Sequence, residues 1–411
     1  MKPNTTLKFA RMDAGFTREG LANALGVSPM TIYRWERGEN CPSPYFRARL
    51  RKLLQLPEQA FGAQETAEEE TRSRDSLSSF LIDPCLPISQ MAPVGQQSLL
   101  KEIGQRPDRP TIGLIGLPGS GKTAIAQALT NLPDMRRQVE GVFWAVIGQE
   151  PNHLRHLHRW LMLLGGEKSV SEQREEVQDR LCLLLRGRKI LIVLDDLWRT
   201  DDILPYHFPH CRYIITTRLP AVASTVCDLI YRPRALTGRQ AFHLLSHGLS
   251  PIVVREHSEV LQALTQQVGN LPLAVEQMGK YLHREARVAS QRRFQEALTR
   301  LFQPATYLHL EDIPGSFSLA ASIKRSEARL SVSARHALAS LATHFPAAPA
   351  SFSERQVMDL IQVSHQFQLP DFDQLVDAGL VTTTERNQYH MHPVIVAYAR
   401  LLTKTEQEAA E

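Results

Sequence analysis

Four short apolar runs, separated by longer helical stretches, mark the centre of the chain. They read TIGLIG, GVFWAVIG, KILIVLDD and RYIITT, and they lie between residues 111 and 217. Apolar runs of this length that alternate with helical patterns are typical of an α/β domain built on a parallel sheet. The pattern therefore predicts such a domain, and we place it over residues 91–234.

Helical patterns predominate on either side of this domain. Residues 1–60 predict a set of short helices, and residues 61–90 include the polar, serine-rich composition of a linker. After about Leu236 the strand signals stop, and amphipathic helical patterns continue to the C-terminus. The fold class we predict is multidomain: an all-α head, an α/β domain and a C-terminal helical region.

Composition narrows the class of protein. The chain has 411 residues, 43% hydrophobic and 22% charged, which is enough to build several cores. Residues 1–60 hold ten Lys/Arg against five Asp/Glu, and such a basic head hints at nucleic acid. The five cysteines form no CxxC pair, and no apolar run approaches the roughly 20 residues that span a bilayer. We expect a cytoplasmic protein with no membrane contact and neither a disulfide framework nor a zinc site.

The sequence GLPGSGKT matches the phosphate-binding pattern GxxxxGK[ST], between the apolar strand 111–115 and the helical sequence KTAIAQAL. Glycines let successive N–H groups face phosphate oxygens, and the helix N-terminus adds a positive dipole end. The loop predicts ATP or ADP as ligand, with Lys122 on the β- and γ-phosphates and Thr123 as a Mg²⁺ ligand. A chance glycine-rich turn is the alternative that this context disfavours. The predicted nucleotide contacts in the loop are Gly116, Gly119, Ser120, Gly121, Lys122, Thr123 and Ala124.

Charged residues follow two further apolar strands. The strand over 189–196 ends in two carboxylates, and behind a phosphate loop such a strand end delivers an acid to the nucleotide. We predict that Asp195 holds Mg²⁺ and that Asp196 orients or deprotonates the attacking water; a helix cap is the alternative. The strand over 212–215 continues as Thr-Thr-Arg, and Arg218 is predicted to sense or stabilise the γ-phosphate.

These segments, with GNLPLA over 269–274, resemble in identity and order the NB-ARC module. That module is the nucleotide switch of plant resistance proteins, apoptotic protease-activating factors and bacterial STAND ATPases. The resemblance covers roughly residues 91–405. It implies a P-loop domain over 91–234, a helical subdomain over 235–305 and a winged helix over 306–411.

The resemblance also implies contacts to the base. Pro272 would pack on the adenine, and Val94 and Gly95 would meet its edge through their backbone. Gln96 and Gln97 stand where the family has Arg and Glu, so only the backbone part of that role carries over.

Near the C-terminus, YHMHP over 389–393 is similar to the family's MHD motif, whose histidine contacts the ADP β-phosphate and locks the resting state. His392 would inherit this role, although Pro393 replaces the aspartate. The alternative is a structural or exposed histidine.

Residues 16–38 predict a helix-turn-helix. Its buried positions would be Leu21, Ala22 and Leu25 on the first helix and Ile32 and Trp35 on the second, with Gly26 in the turn, Val27 between the helices and Ser28 as the cap of the second helix. The segment resembles the Cro/repressor-like (XRE) domain over residues 5–56, in which the second helix enters the major groove of DNA.

Outward residues of the two helices supply the predicted DNA contacts. Arg34 is the candidate base reader because arginine pairs bidentately with guanine. Arg18 and Thr31 are predicted to hold phosphates, with Met30 and Tyr33 beside them. The alternative is a helical bundle that binds another protein.

Together, the phosphate loop, the NB-ARC resemblance and the helix-turn-helix predict a signal-transduction ATPase that regulates transcription. ADP should favour a closed form, and exchange for ATP should release the winged helix, allow homo-oligomers to form and cluster the heads on DNA. Hydrolysis is expected to be slow and to act as a timer. Family members commonly continue into a sensor repeat array, so a separate sensor partner, a small molecule or a truncated chain are the alternatives here.

Two rival functions remain open. A stress- or phage-defence scaffold would use the head to recruit a protein, and would bind DNA only weakly and with full salt sensitivity. A constitutive ATP-driven motor would show fast ATP turnover that is stimulated by DNA.

Overall fold

A computed structural model of the chain describes the greater part of its residues. The described residues are 5–25, 27, 29–37, 42, 44–54, 80–87, 92–106, 111–166, 173–288, 290–310, 318–345, 350–383 and 388–410. Among them, no helix combines the length and the apolar character needed to cross a bilayer.

The head is a small helical bundle, as predicted. Its helices are α1 Thr5–Asp13, α2 Arg18–Leu25, α3 Pro29–Arg37 and α4 Pro44–Leu54. Trp35 is 1% exposed and its ring centroid lies 5.4 Å from that of Phe46. The predicted core positions of α2 and α3 are confirmed, and Val27 is buried with them. The predicted turn residue Gly26 and cap residue Ser28 lie outside the described residues.

The central domain contains a six-stranded sheet. Its strands are β1 Leu81–Ile82, β2 Ile112–Ile115, β3 Gly141–Val146, β4 Ile190–Leu197, β5 Arg212–Thr217 and β6 Leu229–Tyr231, in the order β1-β3-β4-β5-β2-β6. The pairs β1–β3, β3–β4 and β2–β6 are parallel. Strands β2 and β5 are buried at every position. In β2 this burial matches an unbroken apolar sequence, whereas β5 also buries Arg212, Thr216 and Thr217.

Four of these strands are those that the apolar runs predict. The two outer strands, β1 and β6, are missed because two or three residues are too few to show a period. Leu81 and Ile82 fall inside the predicted linker 61–90, yet they pair with Gly141 and Val142. The remainder of the predicted linker lies mostly outside the described residues.

Helices flank the strands of this domain. They are α5 Gln97–Gly104, α6 Lys122–Asn131, α7 Pro133–Arg136, α8 His153–Leu163, α9 Arg174–Leu185, a 3₁₀ helix Thr200–Tyr206, and α10 Pro220–Val226. Asp83, fully buried just after β1, accepts hydrogen bonds from Trp144 N at 3.0 Å and Trp160 Nε1 at 2.7 Å. Its partner charge is Arg159 on α8, with Nε 3.0 Å from Oδ1. The carboxylate thus fixes the edge strand to β3 and α8.

The C-terminal region is helical with one small sheet. Its helices are α11 Gly238–Ser246, α12 Pro251–Glu256, α13 Ser258–Gln267, α14 Pro272–Ala286, α15 Gln291–Leu301, α16 Pro304–Leu308, α17 Leu319–Glu327, α18 Val332–His344, α19 Glu354–Ser364, α20 Leu369–Asp377 and α21 Pro393–Ala410. The strands β7 Ala350–Ser353, β8 Val381–Thr383 and β9 Gln388–Met391 form an antiparallel sheet in the order β7-β9-β8. The assignment of residues 306–411 as a winged helix stays a prediction.

Contacts divide the chain into two compact units. One comprises 1–90, 104–111 and 129–215, and the other comprises 91–103, 112–128 and 216–411. The first holds the head, Asp195 and Asp196. The second holds the phosphate loop, Arg218 and the predicted base and lid residues.

Candidate nucleotide-binding site

The phosphate loop closes around its own lysine. It joins β2 to α6, and Lys122 at the start of α6 is 7% exposed. The Nζ atom donates hydrogen bonds to the carbonyls of Gly116, at 2.7 Å, and Leu117, at 2.8 Å. Gly119 and Gly121 have φ values of 80° and 91°, in the region that favours glycine. These two glycines let the loop curl so that a buried cation lies at its centre.

The loop fits a phosphate group. Among the described residues, the buried Ser120 hydroxyl has no hydrogen-bond partner. A Cβ built on Gly121 meets no described atom within 4 Å, so space is open beside the loop. A buried polar group without a partner costs about 1–3 kcal/mol, and a phosphate oxygen accepting from Ser120 would remove that cost. Hydroxyl oxygens, as on Thr123, are among the ligands that Mg²⁺ takes beside phosphates.

Asp195 and Asp196 are the two residues before Leu197, the last residue of β4. Asp195 is 6% exposed and pairs with Val146 of β3. Asp196 has a φ of 58°, a left-handed value that costs most residues about 1 kcal/mol and that Asp tolerates better. The next helix, the 3₁₀ segment, has Arg199 at its N-cap. Neither aspartate therefore caps this helix, which was the alternative to a role in the nucleotide site.

The GNLPLA segment abuts the phosphate loop. Pro272 occupies the first turn of α14, where its missing N–H is no loss. The next residue, Leu273, donates its backbone N–H to the Gly119 carbonyl at 3.1 Å. A Cβ on Gly119 would lie 2.8 Å from Leu273 Cβ, so only glycine allows this approach. The adenine contact of Pro272 stays a prediction.

His392 lies at the other end of that segment. A Cβ on Gly269 would be 2.8 Å from His392 Cε1 and Nε2, and Val394 N donates to Nδ1 at 3.4 Å. Burial lowers the pKa of His392 to about 4, against a smaller raising effect from a hydrogen bond with the Gly269 backbone. The imidazole is therefore neutral at pH 7. It contacts the segment that begins at Gly269 and meets the phosphate loop at Leu273.

Arg218 is bound to the C-terminal helices. It is 8% exposed, and its Nη1 donates to the Ser322 carbonyl in α17 at 2.6 Å. A Cβ on Gly379, in the turn after α20, would lie 2.4 Å from the Arg218 carbonyl oxygen. Two separate segments of the C-terminal region thus contact one residue at the end of β5. Sequence reasoning missed both partners because contacts with Ser322 and Gly379 leave no periodic signal; the predicted γ-phosphate contact stays a prediction.

The head residues predicted to bind DNA differ in exposure. Met30 is 44% exposed, and Tyr33 and Arg34 are partly buried. Thr31 was expected to face outward, and this is wrong: it is 2% exposed, with Oγ1 3.7 Å from Cys85 Sγ. The reason is that the start of α3 faces the chain that follows β1. Nearby, Arg155 of α8 donates to the Val27 carbonyl.

Arg18 is engaged within the head. Its Nε lies 2.8 Å from Glu36 Oε2, and its guanidinium carbon lies 5.1 Å from the Tyr33 ring centroid. Glu36 is 4% exposed and pairs also with Arg11, at 2.6 Å. The sequence pattern did not reveal this ion-pair cluster around the buried Glu36 carboxylate, which links three helices of the head.

A parallel sheet with a glycine loop closed on a buried lysine defines a P-loop nucleotide-binding protein. Residues 94–251 match the NB-ARC domain family, and residues 7–61 match a helix-turn-helix family. The chain therefore carries an NB-ARC domain behind a helix-turn-helix domain. The NB-ARC match includes the phosphate loop, both aspartates and Arg218, whereas Pro272 and His392 lie beyond it.

Similar proteins include plant resistance proteins. Disease resistance protein RPP13 of Arabidopsis thaliana is 30% identical over 191 residues, which cover 42% of this chain and 23% of that protein. A putative disease resistance RPP13-like protein of the same plant is 28% identical over 192 residues, which cover 42% of this chain and 23% of that protein. The chain thus spans less than a quarter of the length of these relatives.

Among solved structures, a Walker-type ATPase of Pyrococcus abyssi aligns with a TM-score of 0.50 at 12% identity. The alignment covers 75% of this chain and 96% of that one. At this identity the likeness concerns the fold alone.

Proposed function

We propose that this chain is a nucleotide-dependent switch that binds ATP or ADP with Mg²⁺ and hydrolyses ATP slowly. The observation that carries the proposal is the phosphate loop closed on Lys122, against which the segment from Gly269 to Leu273 brings His392. One continuous set of contacts therefore links the phosphate end of the site to the C-terminal helices.

Each residue has a separate part in this chemistry. Lys122 and the loop N–H groups bind the β- and γ-phosphates, and Thr123 and Asp195 would hold Mg²⁺, which neutralises phosphate charge when bound. Asp196 orients the attacking water and accepts its proton. Val94, Gly95 and Pro272 bind the adenine, as the resemblance implies.

Arg218 gives the switch its dependence on the γ-phosphate. In the structure it donates to a neutral acceptor, the Ser322 carbonyl. A guanidinium–phosphate pair adds the attraction between opposite charges, and often a second parallel hydrogen bond, to what a guanidinium–carbonyl bond supplies. The γ-phosphate of ATP therefore competes for the guanidinium and weakens its bond to α17, whereas ADP offers no such acceptor. We infer that ADP keeps the C-terminal region closed and that ATP releases it for assembly into homo-oligomers.

Calorimetry on lysine variants tests the site. Lys122→Ala should abolish tight ADP and ATP binding, because the phosphates lose their fixed cation. Lys101→Ala, which removes an exposed lysine of α5, is the matched control and should bind as the wild type does. Wild-type affinity in Lys122→Ala would overturn the phosphate-loop assignment.

The helix-turn-helix domain suggests DNA as the partner of the head, and transcription regulation as the output. Arg34 is the proposed base reader and Arg18 a phosphate contact. Thr31 can join them only after α3 leaves Cys85. Fluorescence anisotropy on a selected operator at fixed salt should show tighter binding with a non-hydrolysable ATP analogue than with ADP, since assembled heads bind together. Equal affinity in the two states would separate DNA binding from the switch.

A second candidate is a defence scaffold whose head recruits a protein. It is favoured by the similarity to disease resistance proteins. A gel shift with genomic fragments distinguishes the two functions, because the scaffold predicts only weak, fully salt-sensitive DNA binding.

A further inference from the structure

Gln96 makes a double hydrogen bond with the backbone of one distant residue. Its side chain is buried, with 3% exposed. Nε2 donates to the Arg234 carbonyl at 2.8 Å, and Oε1 accepts from Arg234 N at 3.4 Å. One amide thus satisfies both backbone groups of a residue 138 positions away, as a neighbouring strand would.

The two segments that this amide joins have different parts in the proposed site. Gln96 directly follows Val94 and Gly95, which are proposed to meet the adenine edge. Arg234 directly follows Pro233, whose Cδ would lie 3.6 Å from a Cβ on Gly116 of the phosphate loop. The Gln96 side chain therefore ties the base end of the site to a segment that contacts the phosphate end.

A second glutamine covers the same turn. Gly95 has a φ of 73°, and a Cβ on it would lie 2.7 Å from Gln240 Oε1. Gln240 is itself held in place, because Thr237 N donates to its Oε1 at 2.9 Å in a capping box at the start of α11. A side chain in place of Gly95 would therefore clash with Gln240, and Gly95 presents its backbone there.

We propose that Gln96 is a positioning residue for the nucleotide base. Its amide holds the Val94–Gly95 turn at the separation from the phosphate loop that lets one nucleotide reach both. This rests on the nucleotide binding proposed above. The residue type matters because an amide carries a donor and an acceptor, whereas the arginine found at this place in the family carries donors only and cannot accept from Arg234 N.

Calorimetry with two ligands tests the proposal on the full chain. Gln96→Leu should weaken Mg·ADP binding by about ten-fold or more, since Arg234 loses both partners and the turn is no longer held. Inorganic tripolyphosphate, which has no base, should bind the variant and the wild type within about two-fold. Gln97→Leu changes the same residue type at an exposed neighbour and should leave both affinities unchanged.

The outcomes are distinguishable. If Gln96→Leu weakens ADP and tripolyphosphate equally, Gln96 supports the fold of the loop and not the base, and the proposal is wrong. Unchanged ADP affinity overturns it as well. Gln96→Glu keeps the acceptor and removes the donor, so it should reproduce the selective loss of ADP if Gln96→Leu does not fold. A wild-type protein that binds neither ligand refutes the proposed nucleotide site itself.

Discussion

Replacing Gly379 with alanine should loosen the C-terminal helices from Arg218. Gly379 has a φ of 68°, and a Cβ there would lie 2.4 Å from the Arg218 carbonyl oxygen. Carbon and oxygen atoms in weak contact stay roughly 3.3 Å apart, so the turn after α20 has to move by about 1 Å. That movement separates one of the two segments that contact Arg218.

Two costs add in this variant. A left-handed backbone costs alanine roughly 1 kcal/mol relative to glycine, and overpacking against a fixed neighbour adds roughly 1–2 kcal/mol. Gly187→Ala is the matched control, because Gly187 has a φ of 79° and a Cβ there meets no described atom within 4 Å. Since each kcal/mol lowers Tm by about 2–4 °C in a unit of this size, we expect a fall of about 4–12 °C for Gly379→Ala and about 2–4 °C for the control.

Scanning calorimetry of the ADP-bound full chain measures these shifts, and a fluorescent ADP analogue gives the rate of nucleotide release. Gly379 is outside every predicted nucleotide contact, so faster ADP release in Gly379→Ala alone would report the loosened helices. If both variants lose the same Tm and release ADP at the wild-type rate, the turn does not hold Arg218 and the reasoning is refuted.

Three further predictions follow from the described contacts. Asp196→Asn should keep Mg·ATP binding while slowing single-turnover hydrolysis, and an unchanged rate would remove Asp196 from catalysis. Because the pKa of His392 is about 4 in the fold and near 6.5 when unfolded, its contribution to stability should be complete above pH 6.5 and fall by up to about 3 kcal/mol towards pH 4. His392→Gln should flatten this part of a calorimetric Tm–pH profile, and a profile equal to wild type would contradict the buried neutral imidazole. Thr31→Cys should form a disulfide with Cys85 under mild oxidation, detected by mass spectrometry, whereas exposed Met30→Cys should not; equal cross-linking would contradict the placement of α3.

Much of the fold could be predicted from local pattern. Strands β2 to β5 each contain a buried apolar run that a sequence pattern can reveal, and the glycine loop between β2 and α6 has a fixed spacing of its own. Leu21 and Trp35 were likewise predictable because helical periodicity places them on one face. These features depend on residues close together in the chain.

The rest depends on contacts between distant residues. The Gln96 amide meets Arg234 across 138 positions, and Arg218 meets Ser322 across 104. Neither pair has a spacing that a pattern could reveal. The prediction that Thr31 is exposed is wrong for the same reason. Helical periodicity places Thr31 on the outer face of the head, and its burial depends on a segment that includes Cys85. Tertiary placement therefore decides which polar residues of the proposed site are engaged.

The central claim is that the γ-phosphate controls the hold of Arg218 on the C-terminal helices. Hydrogen–deuterium exchange of the full chain, saturated in turn with Mg·ADP and with a non-hydrolysable Mg·ATP analogue, tests it most directly. The account predicts faster exchange in α17, Leu319–Glu327, with the ATP analogue, and no such difference in an Arg218→Ala variant. Identical exchange of α17 in the two nucleotide states of the wild type would contradict it.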